Sequence, residues 1–304
     1  MIMIEIHGPT YKYTGEILDK PEIIVVRDHH YNEEDQCFHI QKLLENSTCD
    51  PHLHTLLFDT VLIHDDVLKD YNIISYPGFL ATEERNFNQQ MIEVDWNNRS
   101  CIFNFMINKP RTHRKRLLKL VEELNLTNYT YSLPWIENPF TSLPVTNYMI
   151  GTETQMLQGI RSGNILNSQN YKQLLQKTVF EPSCISLITE PIFIERESIL
   201  SEKTIMNIYS GTLPIWVGGW RCADALRSFG FDVFDDIVDH SYQDLEDPFD
   251  RCYHAIERNL NLLRDFDLVK ELVQNNKSRF EHNLKLLKNN VFQKTVDQVK
   301  IDEI

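Results

Sequence analysis

The 304-residue sequence lacks the features that mark membrane-spanning, secreted and zinc-stabilised proteins. No apolar run approaches the roughly 18 residues of a membrane span, and residues 1–10 do not join a basic start to an apolar core. The six cysteines form no Cys-x-x-Cys pair and no regular spacing, which argues against a disulfide framework and against structural zinc. We therefore expect a cytoplasmic protein without a membrane span.

Positive charge is also scarce. Lys and Arg number 30 against 44 Asp and Glu, for a formal net charge of −14. Nonspecific binding to a nucleic acid needs clustered basic side chains, so this balance argues against it. The clearest local exception is KPRTHRKR, residues 109–116, which stands out because the chain around it is acidic.

The order of apolar runs predicts an α/β protein. Strand-like runs occupy residues 4–6, 22–26, 55–63 and 71–76, with polar and helical-looking stretches between them. A second unit begins at Cys101 with a strand, a basic loop and the helix RKRLLKLVEELNL. It continues with a helix near YKQLLQKTV, the strand CISLIT, and ADALRSFGFDVF, which predicts a further helix and strand. From residue 247 onward the pattern is almost wholly helical.

The stretch SEKTIMNIYSGTLPIWVGGW, residues 201–220, predicts a short helix followed by a buried strand. Ser201 is a favourable N-cap, and Gly211 ends the helix. Glu202 and Lys203 then lie in the first helical turn, where the helix dipole favours phosphate and where we expect Lys203 to be exposed. A carboxylate beside it suits a ribose diol, although an ordinary charged helix start gives the same pattern.

Two arginines and one glutamate follow predicted strands. Arg111 and Arg114 lie between the strand at Cys101 and its helix, at the carboxyl edge where doubly wound sheets bind ligands. Positive charge at a helix start is unfavourable by about 0.3 to 1 kcal/mol, which hints at an anionic ligand. Glu190 ends the strand CISLIT, where it could bind sugar hydroxyls or could be a solvated loop residue.

Candidates for metal chemistry are weak. Asp28, His29 and His30 follow an apolar run and are similar to the motif of the DHH phosphoesterases, but the other acidic and histidine residues of that family are missing near the N-terminus. Asp28 stays open as a general base. Asp265-Phe-Asp267 resembles a metal-binding acid pair, but it falls within a helical stretch. We predict no metal site.

Four segments together resemble a known family: FNFMINKPRTHRKRLLKLVEELNL, SLITE, LSEKTIMNIYSGTLPIWVGG and LRSFGFDVFDDIVDHSY. They are similar to glycosyltransferase-like proteins of viruses and bacteria, related more distantly to the α-1,3-fucosyltransferases. The resemblance covers residues 101–245. It implies a GT-B fold of two Rossmann-like domains facing across a cleft, with a helical C-terminal segment. The implied domains are 1–100 on the acceptor side, 101–246 binding the donor, and 247–304, whose helices could cross back to the first domain.

The resemblance also implies roles for particular residues. In the fucosyltransferases an arginine after the first strand of the second domain reaches the donor diphosphate, which points to Arg111 or Arg114. A Glu-Lys pair that opens a later helix holds ribose and phosphate, which points to Glu202 and Lys203. We add Glu190 and Thr204 to this donor-binding set. No cofactor is implied beyond the nucleoside diphosphate sugar itself, and the location would be the host cytoplasm for a viral protein.

The sequence leaves the acceptor open, and it leaves three alternative functions open. The acceptor would be a glycan or another hydroxyl compound. In one alternative it is a hydroxylated base of viral DNA, so that DNA enters only as acceptor. In another, the chain is a non-catalytic nucleotide-sugar-binding or scaffold protein that retained the fold. A metal-dependent hydrolase is the third alternative, and it would require manganese.

Overall fold

The computed structural model describes part of the chain. It describes the strand backbones 2–7, 22–27, 55–58, 62–63 and 72–75, then residues 77–89, 91, 93–107 and 112–132, and finally 173, 175–190, 197–198 and 200–302. Within these ranges the protein is a mixed α/β structure with parallel sheets. None of the described helices combines the length and the apolar character that crossing a bilayer requires.

The first sheet is entirely parallel in its described strands. It contains β1 (Ile2–His7), β2 (Glu22–Arg27), β3 (Thr55–Phe58) and β5 (Asn72–Ser75), in that spatial order. The short strand β4 (Leu62–Ile63) pairs instead with β9 (Glu197–Ser198), in the antiparallel sense. This pairing joins residues from the first and second halves of the chain.

The second sheet is also parallel and has a different strand order. Its members are β6 (Cys101–Met106), β7 (Tyr129–Ser132), β8 (Ser183–Ile188) and β10 (Leu213–Trp216), arranged as β10-β8-β6-β7. β6 is followed along the chain by β7 on one side and later by β8 on the other. The connections therefore lead to opposite sides of β6, and this change creates a topological switch point between β6 and β8.

Both faces of the second sheet are covered, which explains why β6, β8 and β10 are buried along their whole length. Phe103, Phe105 and Leu187 face one apolar core, which also contains side chains of α2 (Thr112–Glu123) and α7 (Phe266–Asn275). The opposite face carries a second core built on α1 (Gly78–Asn88), α3 (Glu202–Ser210) and α9 (Val291–Asp302).

The remaining described helices complete the C-terminal part. They are α4 (Cys222–Ser228), α5 (Pro248–Glu257), α6 (Leu260–Arg264) and α8 (Lys277–Lys288), and a 3₁₀ turn spans Ser241–Asp244. α9 packs on α1, whose buried Glu84 accepts hydrogen bonds from the backbone N–H groups of Phe292 and Gln293 at the start of α9. The C-terminal helix therefore contacts a helix from the first hundred residues.

Most of the predicted elements are present, and α/β class is confirmed. The helix predicted near YKQLLQKTV is present: Gln173 and Leu175 are helical, and a π-helical turn follows at Gln176–Phe180. β7 was not predicted. The strand predicted at the end of ADALRSFGFDVF is wrong. Phe234 has a positive φ of 62°, and the amide and carbonyl of Asp232 both bond to the Asn283 side chain of α8. A side chain thus takes the hydrogen bonds that a neighbouring strand would have taken.

Candidate functional site

Those predicted donor-binding residues that the structure describes, all except Arg111, converge at the carboxyl edge of the second sheet. β6 and β8 end at this edge on either side of the switch point, and α2 and α3 both begin there. Crevices outside the carboxyl ends of parallel strands, at a switch point, are where open α/β sheets bind their ligands. The strand order therefore brings together residues that are far apart in sequence.

The start of α3 is built as the sequence predicts. The Ser201 hydroxyl accepts a hydrogen bond from the backbone N–H of Lys203, and the helix ends at Gly211, which has a left-handed φ of 59°. β10 then runs from Leu213 to Trp216, buried and parallel to β8. These local features hold Glu202 and Lys203 at the switch point.

Glu190 lies at the centre of the site and is only 1% exposed. Its Oε1 accepts hydrogen bonds from the Ser201 N–H at 3.1 Å and from the Thr204 hydroxyl at 2.6 Å. Its Oε2 has no hydrogen-bond partner among the described residues. Burial raises the pKa of Glu190, although the Lys203 charge and the bonds from Ser201 and Thr204 oppose that effect. Glu190 is therefore a buried acceptor with one uncommitted oxygen, and it is not the solvated loop residue of the alternative interpretation.

The Thr204 hydroxyl both donates and accepts a hydrogen bond. Its hydroxyl hydrogen goes to Glu190, and its oxygen accepts a hydrogen bond from the indole Nε1 of Trp216 at 3.0 Å. A hydroxyl group has a single proton to donate, so Thr204 orients Glu190 and has no donor left for a ligand. Trp216 was not predicted as a site residue, because an apolar strand residue gives no sign of this contact.

Two cations and one carboxylate lie beside Glu190. The Lys203 ammonium is 3.0 Å from Glu202 Oε1 and 3.5 Å from the Ser201 hydroxyl. Arg114 donates from its Nη2 to the Thr189 carbonyl oxygen at 3.4 Å. Burial alone would raise the pKa of Glu202, but the Lys203 charge and hydrogen bond, its own backbone N–H and the Arg114 charge hold that pKa below its usual value. The Glu202 carboxylate is therefore ionised in this cluster.

The expectation that Lys203 is exposed is wrong. Lys203 is 4% exposed and Arg114 is 3% exposed, whereas 30% of the Glu202 side chain reaches solvent. The Lys203 ammonium is enclosed because Glu202 and Ser201 supply the polar contacts that solvent would otherwise supply. A truncation at Lys203 therefore removes packing as well as charge.

The first turn of α3 is also less open than the sequence suggests. The N–H of Ser201 bonds to Glu190, the N–H of Lys203 to the Ser201 hydroxyl, and the N–H of Thr204 to the Ser201 carbonyl. The Glu202 carboxylate accepts from its own N–H. The helix start already has protein acceptors, so any anion bound here must replace one of them.

His113 is a site residue that sequence reasoning missed. It is fully buried at the start of α2, and its Nε2 lies 2.9 Å from the Glu190 carbonyl oxygen. A carbonyl only accepts hydrogen bonds, so Nε2 carries the proton. The contact fixes the start of α2 to the end of β8. Its only sequence signal was its place within the basic run at residues 109–116.

Other predicted residues fall elsewhere. Arg111 and Asp28 lie outside the described residues, so their assignments stay predictions. Asp265 is the N-cap of α7, where its carboxylate accepts from the Leu268 N–H at 3.0 Å. Asp265 therefore has a structural role at the start of this helix.

A cavity of about 540 Å³ lies beside this edge. The start of α4 and residues between Asp235 and Asp244 line it, including His240. The His240 ring lies 5.5 Å from the Trp216 ring, and Trp216 bonds to Thr204 within the cluster. Cavities of this volume are typical of small-molecule sites. None of Arg114, Glu190, Glu202 and Lys203 lines this cavity, and five of its lining residues are aspartates, so it is separate from the charged cluster.

Comparisons with known proteins do not add to the site. Searches of protein-family models, of curated proteins and of solved structures found no match to the chain.

Among the described residues, no group of three His, Cys, Asp or Glu side chains is arranged to hold a metal ion.

Proposed function

We propose that the chain is a glycosyltransferase that moves a sugar from a nucleoside diphosphate sugar to an acceptor hydroxyl. The observation that carries this proposal is the cluster of Arg114, Lys203, Glu202 and Glu190 at the switch point of a parallel sheet. A site with two buried cations at the carboxyl edge suits a phosphorylated ligand. The proposal includes the GT-B arrangement, in which the first parallel sheet belongs to the acceptor side.

The chemistry of sugar transfer explains why these residue types are useful together. As the bond between the anomeric carbon and phosphate breaks, negative charge accumulates on the departing diphosphate. Cations that are already in position stabilise this charge without reorganising, and losing one such donor typically costs about 10² to 10³ in rate. Arg114 and Lys203 are fixed in this way, because both are buried and both have protein partners.

The carboxylates take the hydroxyl-binding roles. Glu202, which is partly exposed, would accept hydrogen bonds from the ribose diol. The uncommitted Oε2 of Glu190 would accept from a hydroxyl of the transferred sugar. For an inverting reaction the acceptor hydroxyl needs a general base, and Asp28, which follows β2 directly in sequence, is the candidate we retain.

A ligand panel tests the proposal. We expect one of GDP, UDP, dTDP or CMP to raise the melting temperature, since a ligand at 100 times its dissociation constant stabilises the folded state by about 2.7 kcal/mol. The matching nucleotide sugar should then release free nucleotide when an acceptor is added. Binding without release would favour the non-catalytic alternative, and no shift with any compound in the panel would contradict nucleotide binding altogether.

A further inference from the structure

Among the described residues, the hydrogen bonds to the Glu190 carboxyl group all fall on one of its two oxygens. Oε1 accepts from the Ser201 N–H at 3.1 Å and from the Thr204 hydroxyl at 2.6 Å. Oε2 is buried without a hydrogen-bond partner, and the carboxyl group forms no ion pair with any described residue. Buried polar atoms normally have a partner, so this one-sided arrangement needs a physical explanation.

A neutral carboxylic acid fits the arrangement better than a carboxylate does. The two oxygens of a carboxylate share the negative charge, and burying a charged oxygen without a donor or a cation costs more free energy than burying a neutral hydroxyl. In the neutral acid, Oε1 is the carbonyl oxygen, which can accept both bonds, and Oε2 carries the proton. Burial also raises the pKa of Glu190 against the opposing charge of Lys203, which agrees with the neutral form.

The titratable groups around Glu190 come from three helices. On α3, the Lys203 ammonium contacts Glu202 Oε1 at 3.0 Å, so its charge is paired with a different carboxylate. At the start of α4, burial raises the pKa of the Cys222 thiol well above its usual value, which keeps this neighbour neutral. On α2, His113 Nε2 donates to the backbone carbonyl of Glu190. None of these described groups forms a hydrogen bond or an ion pair with the Glu190 carboxyl group.

The protonation state of Glu190 decides the charge of the cluster. Arg114, also on α2, donates to the Thr189 carbonyl oxygen, and Lys203 pairs with the ionised Glu202. With Glu190 neutral, two cations and one carboxylate leave the cluster with a net positive charge. With Glu190 ionised, the charges cancel, and a second carboxylate opposes any anion that approaches Lys203.

We propose that Glu190 is a neutral acid in the folded protein, and that an anionic ligand binds beside Lys203 because Glu190 carries no charge there. The proton exchanges with solvent. By linkage, the bound anion and the Glu190 proton stabilise each other. The Oε2 hydroxyl keeps acceptor lone pairs, so it can still accept from a sugar hydroxyl. This inference rests on the proposed function for the site, and it adds that donor binding requires a proton on Glu190.

The test measures the dissociation constant of inorganic pyrophosphate, which needs no nucleoside subsite, by isothermal titration calorimetry. The full chain is compared with Glu190→Gln, Glu202→Gln and Glu181→Gln. Glu181 is a matched control at the amino edge of the sheet: it is 4% exposed, and burial raises its pKa too. Glu190→Ala also removes the carboxyl group without adding charge, and it provides a second variant in case the glutamine change perturbs the fold.

The two carboxyl groups of the cluster should respond in opposite ways at about pH 7. Glu202→Gln removes a charged carboxylate beside Lys203, so we expect pyrophosphate to bind about tenfold more tightly. Glu190→Gln replaces one neutral group by another of the same shape, so we expect its affinity to stay within about threefold of the parent, as in Glu181→Gln. Tightening in both Glu190 variants that equals the tightening in Glu202→Gln would overturn the inference.

The pH dependence gives a second readout. Because the pKa of Glu190 is raised, the parent should bind as Glu190→Gln does below that pKa and lose affinity relative to it only as the pH rises through it. The ionisation of pyrophosphate itself is common to all variants and cancels in the comparison. A gap between parent and variant that is present at about pH 7 and closes on acidification would show an ionised Glu190 and contradict the proposal.

The two proposals fail in different ways. If pyrophosphate binds equally to the parent and to Glu190→Gln but no nucleotide binds, the glycosyltransferase proposal falls and the neutral acid stands. If a nucleoside diphosphate binds but Glu190→Gln tightens pyrophosphate binding, the neutral acid falls and the donor site stands. Absence of pyrophosphate binding in the parent overturns the role of Glu190 in anion binding.

Discussion

Among the described residues, both edges of the second sheet bury cationic side chains, but a buried cation pairs directly with a side-chain carboxylate at the carboxyl edge alone. At the amino edge, Arg99 is 2% exposed and donates only to backbone carbonyl oxygens at distances of 2.6 to 3.4 Å. These carbonyls belong to Phe180, Glu181, Ser183, Ser210 and Gly211. At the carboxyl edge, Arg114 donates to the Thr189 carbonyl oxygen at 3.4 Å, and Lys203 pairs with a side-chain carboxylate, Glu202, at 3.0 Å.

This difference separates a structural cation from a site for a ligand. The carbonyls around Arg99 belong to the backbone at the end of α3 and at the start of β8, so they cannot leave without unfolding these elements. Arg99 thereby satisfies carbonyls that the end of α3 leaves unpaired. Glu202 belongs to a side chain that reaches solvent and can be exchanged. A buried cation indicates a ligand site more strongly when its partner can move away.

The largest effect on stability is expected from Arg99→Met. The change leaves several buried carbonyl oxygens without donors, so we expect the free energy of unfolding to fall by about 3 to 5 kcal/mol. Denaturant unfolding followed by circular dichroism measures this loss. Arg85→Met, on the exposed face of α1, is the matched control and should stay within about 0.5 kcal/mol of the parent. Equal stability of the two variants would remove the structural role of Arg99.

The contrasting change at the carboxyl edge is Lys203→Met, which keeps most of the buried side-chain volume. We expect the affinity for pyrophosphate or for the identified nucleoside diphosphate to fall about tenfold to hundredfold, because one of two cations is lost. The free energy of unfolding should fall by less than in Arg99→Met, since the partly exposed Glu202 can turn to water. Calorimetric titration and denaturant unfolding give the two values. Unchanged affinity with a large loss of stability would make Lys203 a structural cation like Arg99.

A buried carboxylate without a close cation extends the comparison. Glu84 of α1 contacts the start of α9, and burial raises its pKa to about 7 despite hydrogen bonds from the Gln293, Phe292 and Val291 N–H groups and the charge of Lys294. Glu202 shows the opposite shift because Lys203 and Arg114 stabilise its charge. At Glu202 the cations and hydrogen bonds outweigh the effect of burial on the pKa, whereas at Glu84 and Glu190 burial outweighs them.

The smallest effect is expected from Glu84→Gln, on the pH dependence of the free energy of unfolding. The folded protein holds the Glu84 proton up to about pH 7, whereas the unfolded chain releases it near the ordinary carboxyl pKa of 4.5. Raising the pH across this window therefore favours the unfolded chain, and the stabilising contribution is lost as the pH passes the folded pKa. After allowance for solvent screening, we expect the free energy of unfolding to fall by about 1 to 2 kcal/mol across this window.

Denaturant unfolding at pH 4.5, 6 and 7.5 measures that window. Glu84→Gln should lose this part of the pH dependence, and Glu93→Gln, at an exposed position, should keep it. Identical pH profiles for the parent and Glu84→Gln would show that Glu84 ionises normally in the folded protein.

Local sequence signals predicted the elements that carry the candidate site. Ser201 and Gly211 act within one helix, through a capping hydroxyl and a left-handed backbone, so both ends of α3 could be read from neighbouring residues. The apolar runs of β6, β8 and β10 likewise predicted buried parallel strands. β7 has the alternating sequence YTYS, which is typical of a strand and could have been recognised.

Long-range contacts could not be read in this way. Arg99 bonds to residues more than 80 positions away, and nothing beside it in the sequence marks it as buried. The same holds for His113 and Trp216, whose contacts at the site depend on how the strands are ordered. The strand expected at residues 231–234 was wrong because Asn283, which is distant in sequence, takes its hydrogen bonds.

By itself the sequence determined the α/β class, the caps of α3 and the position of Glu202 and Lys203 in its first turn, because these follow from side-chain pattern and local backbone preference. Only the tertiary structure decided that Lys203 is buried, that Glu190 lies beneath the start of α3, and that Arg114 bonds to the Thr189 carbonyl just after β8. The physical reason is that burial and charge pairing depend on which distant segments the strand order β10-β8-β6-β7 places side by side.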